Sequence, residues 1–283
     1  MVPAARHTIR LVSVGLFVFA CDAIAAEFPQ ADVNNYTNKY VKPVIESTDT
    51  CKSTGAGYNS GAYICHTREA CDVTYTTADD LSTDIVWSND TICIEYGDYT
   101  GDGHISTGAA GTSGDWKQLL CVDGDGNRGT RPVDDTADAS RCILRGLTID
   151  HDYWVVDRFT ARTSGSVDNA AFMNDASADF ITFNELHGDC DDLHTNRDQC
   201  FEMDGVDDVV LQRSLCDGVE RNEGVDQMCV GLGTGSSDRF WLVGNELFDS
   251  THEFQTQNVS EHRDLIIENN DMYRSLAVRQ DCN

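Results

Sequence analysis

Acidic side chains at alternating positions are the groups in this sequence best suited to chemistry. Around Phe201 apolar and polar residues alternate, which predicts a β-strand with Phe201 and Met203 pointing inward and Glu202 and Asp204 pointing outward. Carboxylates about 5 Å apart repel each other unless a proton or a cation lies between them. Calcium can bind several oxygen ligands that lie this close together. The pattern predicts a calcium site at Asp175, Glu202 and Asp204, and the alternative is an ordinary solvated acidic surface.

Asp175 joins this group because the second half of the chain is a repeat. Apolar runs that end in a polar turn begin at Tyr153, Phe180, Val209, Trp241 and Ile266. The turn residues form one predicted column: Asp157, Asn184, Arg213, Asn245 and Asn270. A second column, expected in the core, is Phe172, Phe201, Val230, Phe254 and Val278. Asparagine tolerates left-handed backbone geometry and stacked asparagines can bond to one another, so a partial asparagine ladder is expected.

The repeat indicates the fold. Spacings between aligned residues run from 24 to 32, and each repeat holds about three short strands and no convincing helix. A unit this small cannot bury its own apolar face, whereas stacked coils can, with each strand pairing to its counterpart one coil away at about 4.8 Å. Equivalent strands of successive coils form a row. Row one contains the strand of Phe201, row two the strand of Val209, and row three the strand of Leu215 and Cys216. The sequence predicts an all-β fold, a parallel β-helix (solenoid) with three short strands per coil.

The beginning of the repeat also resembles a known family. Thr91–Gly101 resembles the strand, turn and Gly-x-Tyr that open the first coil of many proteins of the pectate-lyase-like superfamily. His104–Ser106 and Gly111–Lys117 continue that opening pattern. Residues 70–283 are therefore similar to the right-handed parallel β-helix of that superfamily, and the resemblance implies a right-handed coil. In similar lyases the loops after the third strand wall a cleft whose floor is the first sheet.

By that resemblance, row one carries a binding groove. Its walls would be residues 188–199 and 217–228, each closed by a predicted disulfide. The predicted catalytic residues on these walls are His194, Arg197 and Arg221. Lyase chemistry on a uronic acid polymer needs a cation to neutralise the substrate carboxylate and a base for the neighbouring proton. Many lyases of this family use lysine or arginine as the base, and because no lysine follows Lys117, an arginine or histidine would serve here.

Substrate binding is predicted at outward strand positions and on the loops. The residues are Asp191, Asp192, Glu220, Gln255 and Arg279. A hydrolase would instead use paired carboxylates. The carboxylates available for that chemistry are Asp191, Asp192, Asp198, Glu202 and Glu220. For each of these residues the alternative is a solvated loop or sheet surface.

Glycines also cluster near this region. Gly231–Gly235 resembles a nucleotide-binding loop, but no helix follows it. We interpret the segment as a coil corner where glycine permits a tight turn.

The first residues have the composition of an export signal. Two arginines precede the short apolar run Leu11–Ala20, and small residues at 23–25 allow cleavage. Residues 1–25 are predicted to be a signal peptide cleaved near Ala25, and the alternative is lipidation at Cys21. The apolar run is too short to span a bilayer, so we expect a secreted or periplasmic protein that does not insert into a membrane.

Charge narrows the range of partners. The chain has 48 acidic and 20 basic residues, for a formal net charge of −28. Nucleic acids and anionic lipids carry phosphate, which such a surface repels. Neither is expected to be a partner.

The domain organisation follows from where the repeat begins. Residues 26–84 do not repeat and are predicted to be a disulfide-stapled cap, which is needed because the end of a solenoid exposes apolar core and unpaired strand edges. Residues 85–283 are predicted to form the β-helix. Val278–Cys282 has the pattern of a strand that stops within a coil, which favours the alternative that the chain is a fragment.

Cysteines in an exported protein are expected to form disulfides. The predicted bridges are Cys121–Cys142, Cys190–Cys200 and Cys216–Cys229. Pairing among Cys51, Cys65, Cys71 and Cys93 stays open. Cys282 is left over, and its partner would lie beyond the terminus or in a second molecule.

These observations predict an exported, polysaccharide-active protein. The expected activity is that of a lyase or hydrolase acting on an acidic glycan such as a uronic acid polymer, with calcium as the cofactor. The alternative is a non-catalytic surface or adhesion protein that binds glycan or protein along the solenoid. The sequence names neither the polymer nor the oligomeric state.

Overall fold

The computed structural model describes the chain from residue 69 onward, with gaps. The described ranges are 69–132, 138–162, 170–175, 177–190, 199–205, 207–217, 228–233, 236–248, 250, 252–256, 262–263, 265–268 and 270–273. The predicted signal peptide, residues 26–68 of the predicted cap and the strand predicted at 278–282 lie outside these ranges. Within the described ranges, no helix has the length and apolar character needed to cross a membrane.

Strands make up most of the described structure. In chain order they are β1 (Val73–Tyr75), β2 (Thr91–Glu95), β3 (Gly97–Ser106), β4 (Lys117–Val122), β5 (Cys142–Ile149), β6 (Trp154–Asp157), β7 (Phe159–Arg162), β8 (Ala170–Asn174), β9 (Ile181–Asn184), β10 (His187–Asp189), β11 (Gln199–Met203), β12 (Asp207–Gln212), β13 (Leu215–Asp217), β14 (Met228–Leu232), β15 (Ser237–Val243), β16 (Glu246–Phe248), β17 (His252–Thr256), β18 (His262–Arg263), β19 (Ile266–Glu268) and β20 (Asp271–Tyr273). A short helix, α1 (Leu81–Asp84), and a 3-10 turn, Asp138–Ser140, lie between strands.

The strands stack as a parallel β-solenoid of about five turns, which confirms the predicted all-β fold with three strands per coil. Row two is one sheet, in the order β1, β2, β4, β6, β9, β12 and β15, followed by β18 and β19. Rows one and three share a second sheet. Strand β5 joins them, because its first half pairs with β7 of row three and its second half pairs with β8 of row one. The handedness of the coil stays a prediction.

The register confirms the predicted core column. Phe172 pairs with Phe201, Phe201 with Val230, and Val230 with Phe254, while Leu147 extends the column toward the first coils. The rings of Phe172 and Phe201 are fully buried and stack with their centroids 5.3 Å apart. Burial of one such side chain stabilises the fold by roughly 1.5–3 kcal/mol. The core is therefore a continuous set of equivalent contacts between neighbouring coils.

Disulfides close three of the segments between strands as predicted. The bridges Cys121–Cys142, Cys190–Cys200 and Cys216–Cys229 are all present. A fourth bridge, Cys71–Cys93, settles one of the pairings that the sequence left open. The last two of the three predicted bridges join the end of row three to the start of row one across a loop, so the loop ends are fixed to the sheet.

Left-handed residues form the corner before row two. Tyr153 and Phe180 directly precede β6 and β9, and in the same register Asp208 and Arg239 lie near the beginning of β12 and β15. Each of the four has a φ between 60° and 63°. Left-handed geometry costs a non-glycine residue roughly 1–2 kcal/mol, so contacts between corners must offset it. The Tyr153 and Phe180 rings stack with centroids 4.7 Å apart, and Arg239 donates two hydrogen bonds to Asp208, at 2.5 and 2.6 Å.

An aspartate precedes each of these four residues: Asp152, Asp179, Asp207 and Asp238. Hydrogen bonds between the first three connect the coils. The Asp152 carboxylate accepts a hydrogen bond from the Asp179 amide at 2.9 Å, and the Asp179 carboxylate accepts one from the Asp207 amide at 3.1 Å. Burial, together with the charges of Asp207 and Asp152, raises the pKa of Asp179 to about 6. The column therefore joins the coils by hydrogen bonds while it concentrates negative charge.

A second left-handed column forms the corner after row two. Its members are Arg158, Glu185, Arg213 and Gly244, with φ values of 67°, 53°, 53° and 65°. The backbone amides of the first three residues donate to carbonyl groups on the next coil. The accepting residues are Asn184, Gln212 and Val243, in that order. Only one of the four is glycine, so side-chain contacts must stabilise the other three.

Buried ion pairs provide that stabilisation. Glu185 is fully buried, and its Oε2 lies 2.6 Å from Nε of Arg158 and 3.3 Å from Nη2 of Arg128. Arg213 contacts the other carboxylate oxygen of Glu185. Arg128 also donates to both oxygens of the buried Asp157, at 2.7 and 2.8 Å. We call these five residues the corner ion cluster.

The predicted single column of turn residues is wrong in its register. Asn184 pairs with Gln212, and Arg213 is the next residue along, at the left-handed corner. The side-chain amide of Asn184 donates to Oδ1 of Asp157 at 2.6 Å, and the side-chain amide of Gln212 donates to Oδ1 of Asn184 at 3.0 Å. The ladder on these coils is therefore made by an aspartate, an asparagine and a glutamine.

The remaining asparagines form a separate ladder two residues further along. Asn245 donates to Oδ1 of Asn270 at 2.9 Å, and Oδ1 of Asn245 accepts from the Ser214 amide at 2.8 Å. The reason is the pairing of β12 with β15, which sets Val243 opposite Gln212. Aligning the repeats by residue type had placed these asparagines in the wrong column.

The first described strand lies inside the region predicted as a cap. Strand β1 pairs in parallel with β2, so it continues row two. Helix α1 follows, with Asp80 as its N-cap, whose carboxylate accepts from the Ser82 amide at 3.0 Å. Leu81 is buried in the solenoid core.

Replacing Glu185 with glutamine is expected to lower the free energy of unfolding by about 3 kcal/mol, because three arginines would lose their shared buried counter-charge. Chemical denaturation of the wild type and of E185Q measures this difference. The same change at Glu246, a half-buried residue of row three, is the control and should alter stability by less than about 0.5 kcal/mol. Equal stability of E185Q and E246Q would contradict the stabilising role of the corner ion cluster.

Candidate functional site

Row one presents a polar face away from the core, which we call the row-one face. One register column on it is Thr148, Met173, Glu202, Gly231 and Gln255. Two residues further along the strands lie Asp150, Asp175, Asp204 and Gly233. The outward positions predicted from alternation are confirmed in register from Met173 to Gln255, and four carboxylates lie along three consecutive coils.

Glu202 and Asp204 are the central carboxylates of this face. Both side chains are partly buried, while Phe201 and Met203 point into the core. Burial, and then the charge of Asp204, raises the pKa of Glu202 to about 7. Glu202 therefore keeps its proton for part of the time near neutral pH and can act as a proton donor beside a second carboxyl group.

Gly231 and Gly233 make room for side chains of the preceding coil. The interpretation of Gly231–Gly235 as a coil corner is wrong at Gly231, whereas Gly233 follows the end of β14. Gly231 lies within β14, and neither glycine is among the residues with a left-handed φ. A Cβ atom at Gly233 would lie 1.3 Å from Oδ1 of Asp204, and one at Gly231 would lie 1.7 Å from Oε1 of Gln199. Asp204 and Gln199 therefore lean over positions that only glycine leaves open.

Gln199 adds an oxygen that the sequence analysis did not select. Its side chain is 4% exposed, and its Oε1 has no hydrogen-bond partner in the described structure. The buried Oε1 of Gln255 is in the same situation. A buried acceptor without a donor costs about 1–3 kcal/mol. Amide and carboxylate oxygens are the ligand types that calcium prefers, so Gln199 is a further candidate ligand beside Glu202 and Asp204.

Asp175 lies at the edge of this group. Its side chain is exposed, and its carboxylate accepts hydrogen bonds from the amide and hydroxyl of Ser177. Asp150 lies one coil before it, and burial together with the charge of Asp175 raises the pKa of Asp150. The alternation from Leu147 to Asp150 is the sequence signal that could have identified Asp150 as an outward residue.

The three predicted calcium ligands do not meet as one tight group. In the part of the chain that the structure describes, the only three His, Cys, Asp or Glu ligand atoms within 4.8 Å of one another are the sulfurs of Cys200, Cys216 and Cys229. These cysteines belong to two disulfides on adjacent coils, so they are not free to ligate a metal. Calcium at the row-one face remains a proposal.

Most of the residues predicted for catalysis and substrate binding lie outside the described ranges. They are His194, Arg197, Arg221, Asp191, Asp192, Glu220 and Arg279. Gln255 is described, and it pairs with Gly231 on the coil after Glu202. The ends of both predicted wall loops are fixed, because disulfides join Cys190 to Cys200 and Cys216 to Cys229.

The fold defines the chain as a parallel β-solenoid protein. Comparison with protein-family models, with curated proteins and with solved structures gives no match in any of the three. The resemblance to the pectate-lyase-like superfamily therefore rests on the residues of the chain itself, and its finer implications belong to the proposal below.

The raised pKa of Glu202 makes stability depend on pH. Because the pKa in the folded state lies above the ordinary 4.5, protonation favours the folded state, and this contribution is lost as the pH rises toward 7 and beyond. E202Q should be more stable than the wild type at pH 8, by about 1 kcal/mol after allowance for solvent screening, and of equal stability at pH 4.5. Urea denaturation at the two pH values measures this, and an equal difference at both would contradict the assignment.

Gly233→Ala is expected to displace the Asp204 carboxylate at little cost in stability, below about 1 kcal/mol, because the new Cβ meets only the end of a flexible side chain. Moving this charge away should lower the pKa of Glu202, which nuclear magnetic resonance of the labelled side chain can follow. Gly114→Ala is the matched control, since no atom lies within 4 Å of its added Cβ. An unchanged Glu202 titration in G233A would show that the two carboxyl groups do not interact.

Proposed function

We propose that the protein is a polysaccharide-active enzyme whose row-one face binds an acidic glycan, such as a uronic acid polymer, and hydrolyses it. The observation that supports this most is the partly buried Glu202 beside Asp204 on an extended face, next to two loops whose ends are held by disulfides. A pair of carboxyl groups, one of which keeps its proton near neutral pH, is the arrangement that glycoside hydrolysis uses.

In this proposal Glu202 is the acid. It donates its proton to the glycosidic oxygen as the bond to the sugar carbon breaks, and Asp204 either activates a water molecule or attacks that carbon. Residues two apart in a strand have Cα atoms about 6.6 Å from each other, which leaves room for a reacting group between the two side chains. The linear row of coils suits a chain-like substrate that contacts several of them.

Calcium ligation is the basis of a second candidate, a lyase, and the buried oxygen of Gln199 favours it. The proposed ligands are Gln199, Glu202 and Asp204, with Asp175 nearby. When bound, calcium would supply positive charge for substrate carboxylates, which a protein of net charge −28 otherwise repels. A metal ligand must be ionised, so Glu202 could not also be the acid, and the base would come from His194, Arg197 or Arg221.

Export of the protein is part of the proposal. Four disulfides among the described residues are typical of an oxidising compartment, and residues 1–25 have the pattern of a signal peptide. An extracellular or periplasmic enzyme would meet polymers directly, and calcium is abundant in such compartments.

Incubating the protein with alginate, pectin and chondroitin, with and without calcium, tests these functions. Hydrolysis should release reducing ends, and E202Q should slow this by about 10²–10⁴-fold because the proton donor is lost. The control E246Q should cleave at the wild-type rate.

The other outcomes separate the alternatives. An unsaturated product that absorbs in the ultraviolet, formed only with calcium, would contradict hydrolysis and support the lyase. Binding of a polymer without any cleavage would contradict both enzymes and support the non-catalytic surface or adhesion protein.

A further inference from the structure

From β2 to β15, outward side chains in the middle of the row-two strands are completely buried. In these strands the inward residues belong to the solenoid core, and the residues that alternate with them point away from it. Among the outward residues that are 0% exposed are Cys93, Leu120, Val155, Thr182, Val210 and Trp241. Outward side chains lose all contact with water only where another layer packs on them. Row two is therefore covered on its outer face as well as on its inner face. At Val155 the described residues Trp116, Tyr153 and Phe180 pack on this outer face.

The first described residues supply the beginning of that layer. Cys71 packs on Leu120 and is joined by a disulfide to Cys93, which lies on the same outer face. The Glu69 amide donates to Oε1 of Gln118, an outward residue of β4 that is 3% exposed. The segment that precedes β1 therefore contacts the outer face of row two at β2 and β4.

We propose that residues 26–68 of this chain dock on the outer face of row two and cover it at Leu120 and, beyond Val155, at Thr182, Val210 and Trp241. The segment is continuous with Glu69–Cys71, which is already bonded to this face. The strands from β4 to β15 are five neighbours, so the face is about 19 Å long at 4.8 Å per spacing. A chain of this length spans several times that distance when extended.

The composition of the segment suits this position. It contains three of the four lysines of the protein, and its four acidic residues are balanced by four basic ones, whereas the whole chain has a net charge of −28. A neutral segment can approach an acidic solenoid that repels a second copy of itself. It also offers apolar and aromatic side chains to an apolar face, among them Phe28, Tyr36, Val41, Val44, Ile45 and Ile64.

This docking gives the N-terminal segment a role other than that of an end cap. It covers the outer face of row two and leaves the row-one face accessible to a ligand. Because the side chains it would cover are apolar, the bare face would otherwise be an aggregation surface.

Hydrogen exchange with mass spectrometry on the full-length protein and two valine variants tests the proposal. Val210→Lys places a charge on the outer face of row two without touching the core, and Val86→Lys makes the same change at a side chain that is 51% exposed. Exchange in residues 26–68 should rise at least about tenfold in V210K, since burying an unpaired charge is unfavourable, and should stay at the wild-type rate in V86K. Equal exchange in the two variants would overturn the proposal.

A measurement on the wild type alone keeps the test decisive if V210K does not fold. Some amides of residues 26–68 should exchange more slowly than those of an unstructured peptide, at every protein concentration. Protection that appears only at high concentration, together with dimers in sedimentation, would assign the face to a second copy and overturn the proposal. Exchange at the unstructured rate throughout would also overturn it.

Discussion

The coils that contain β6, β9, β12 and β15 each change direction at two corners with a left-handed residue, and contacts with the neighbouring coils make those corners stable. Seven of the left-handed residues are not glycine, so each corner is unfavourable in isolation. The corner before row two is stabilised by ring stacking and by the pair of Asp208 and Arg239. The corner after it is stabilised by the ion pairs around Glu185. Stability therefore belongs to the stack of coils and not to any single repeat.

The three rows of the solenoid have different environments, and this difference creates the candidate site. Row two is buried on both faces, so it tolerates apolar residues outside as well as inside. Row one keeps an outer face with four carboxylates, where partial burial changes the acidity of Glu202. The same parallel register that packs Phe172 on Phe201 places Glu202 beside Met173 and Gly231. The chemistry of the face is a direct product of the core packing.

Much of the fold could be predicted from the sequence because the core repeats in register. Phe201 and its aligned partners identified row one, and short sequence spacing identified three disulfides correctly. The turn column was wrong because residue type was taken as a guide to register, whereas strand pairing sets Gln212 opposite Asn184.

The site was predicted only in part, for a physical reason. Alternation shows which residues point outward, so the position of Glu202 and Asp204 on the row-one face could be predicted. It does not show which side chains lean across to the next coil. Gly231 and Gly233 looked like turn residues in the sequence, and their function of leaving space for Gln199 and Asp204 depends on the neighbouring coil. The burial that raises the pKa of Glu202 likewise depends on packing that no single strand reveals.

The disulfides across the loop ends have a consequence for how such a protein can change. Cys190–Cys200 and Cys216–Cys229 fix the positions where each loop leaves and rejoins the sheet, whatever lies between. Loop length and composition are thereby uncoupled from the register of the coils. Evolution or a protein engineer could exchange one loop for another of different size and chemistry, and the scaffold beneath would keep its geometry.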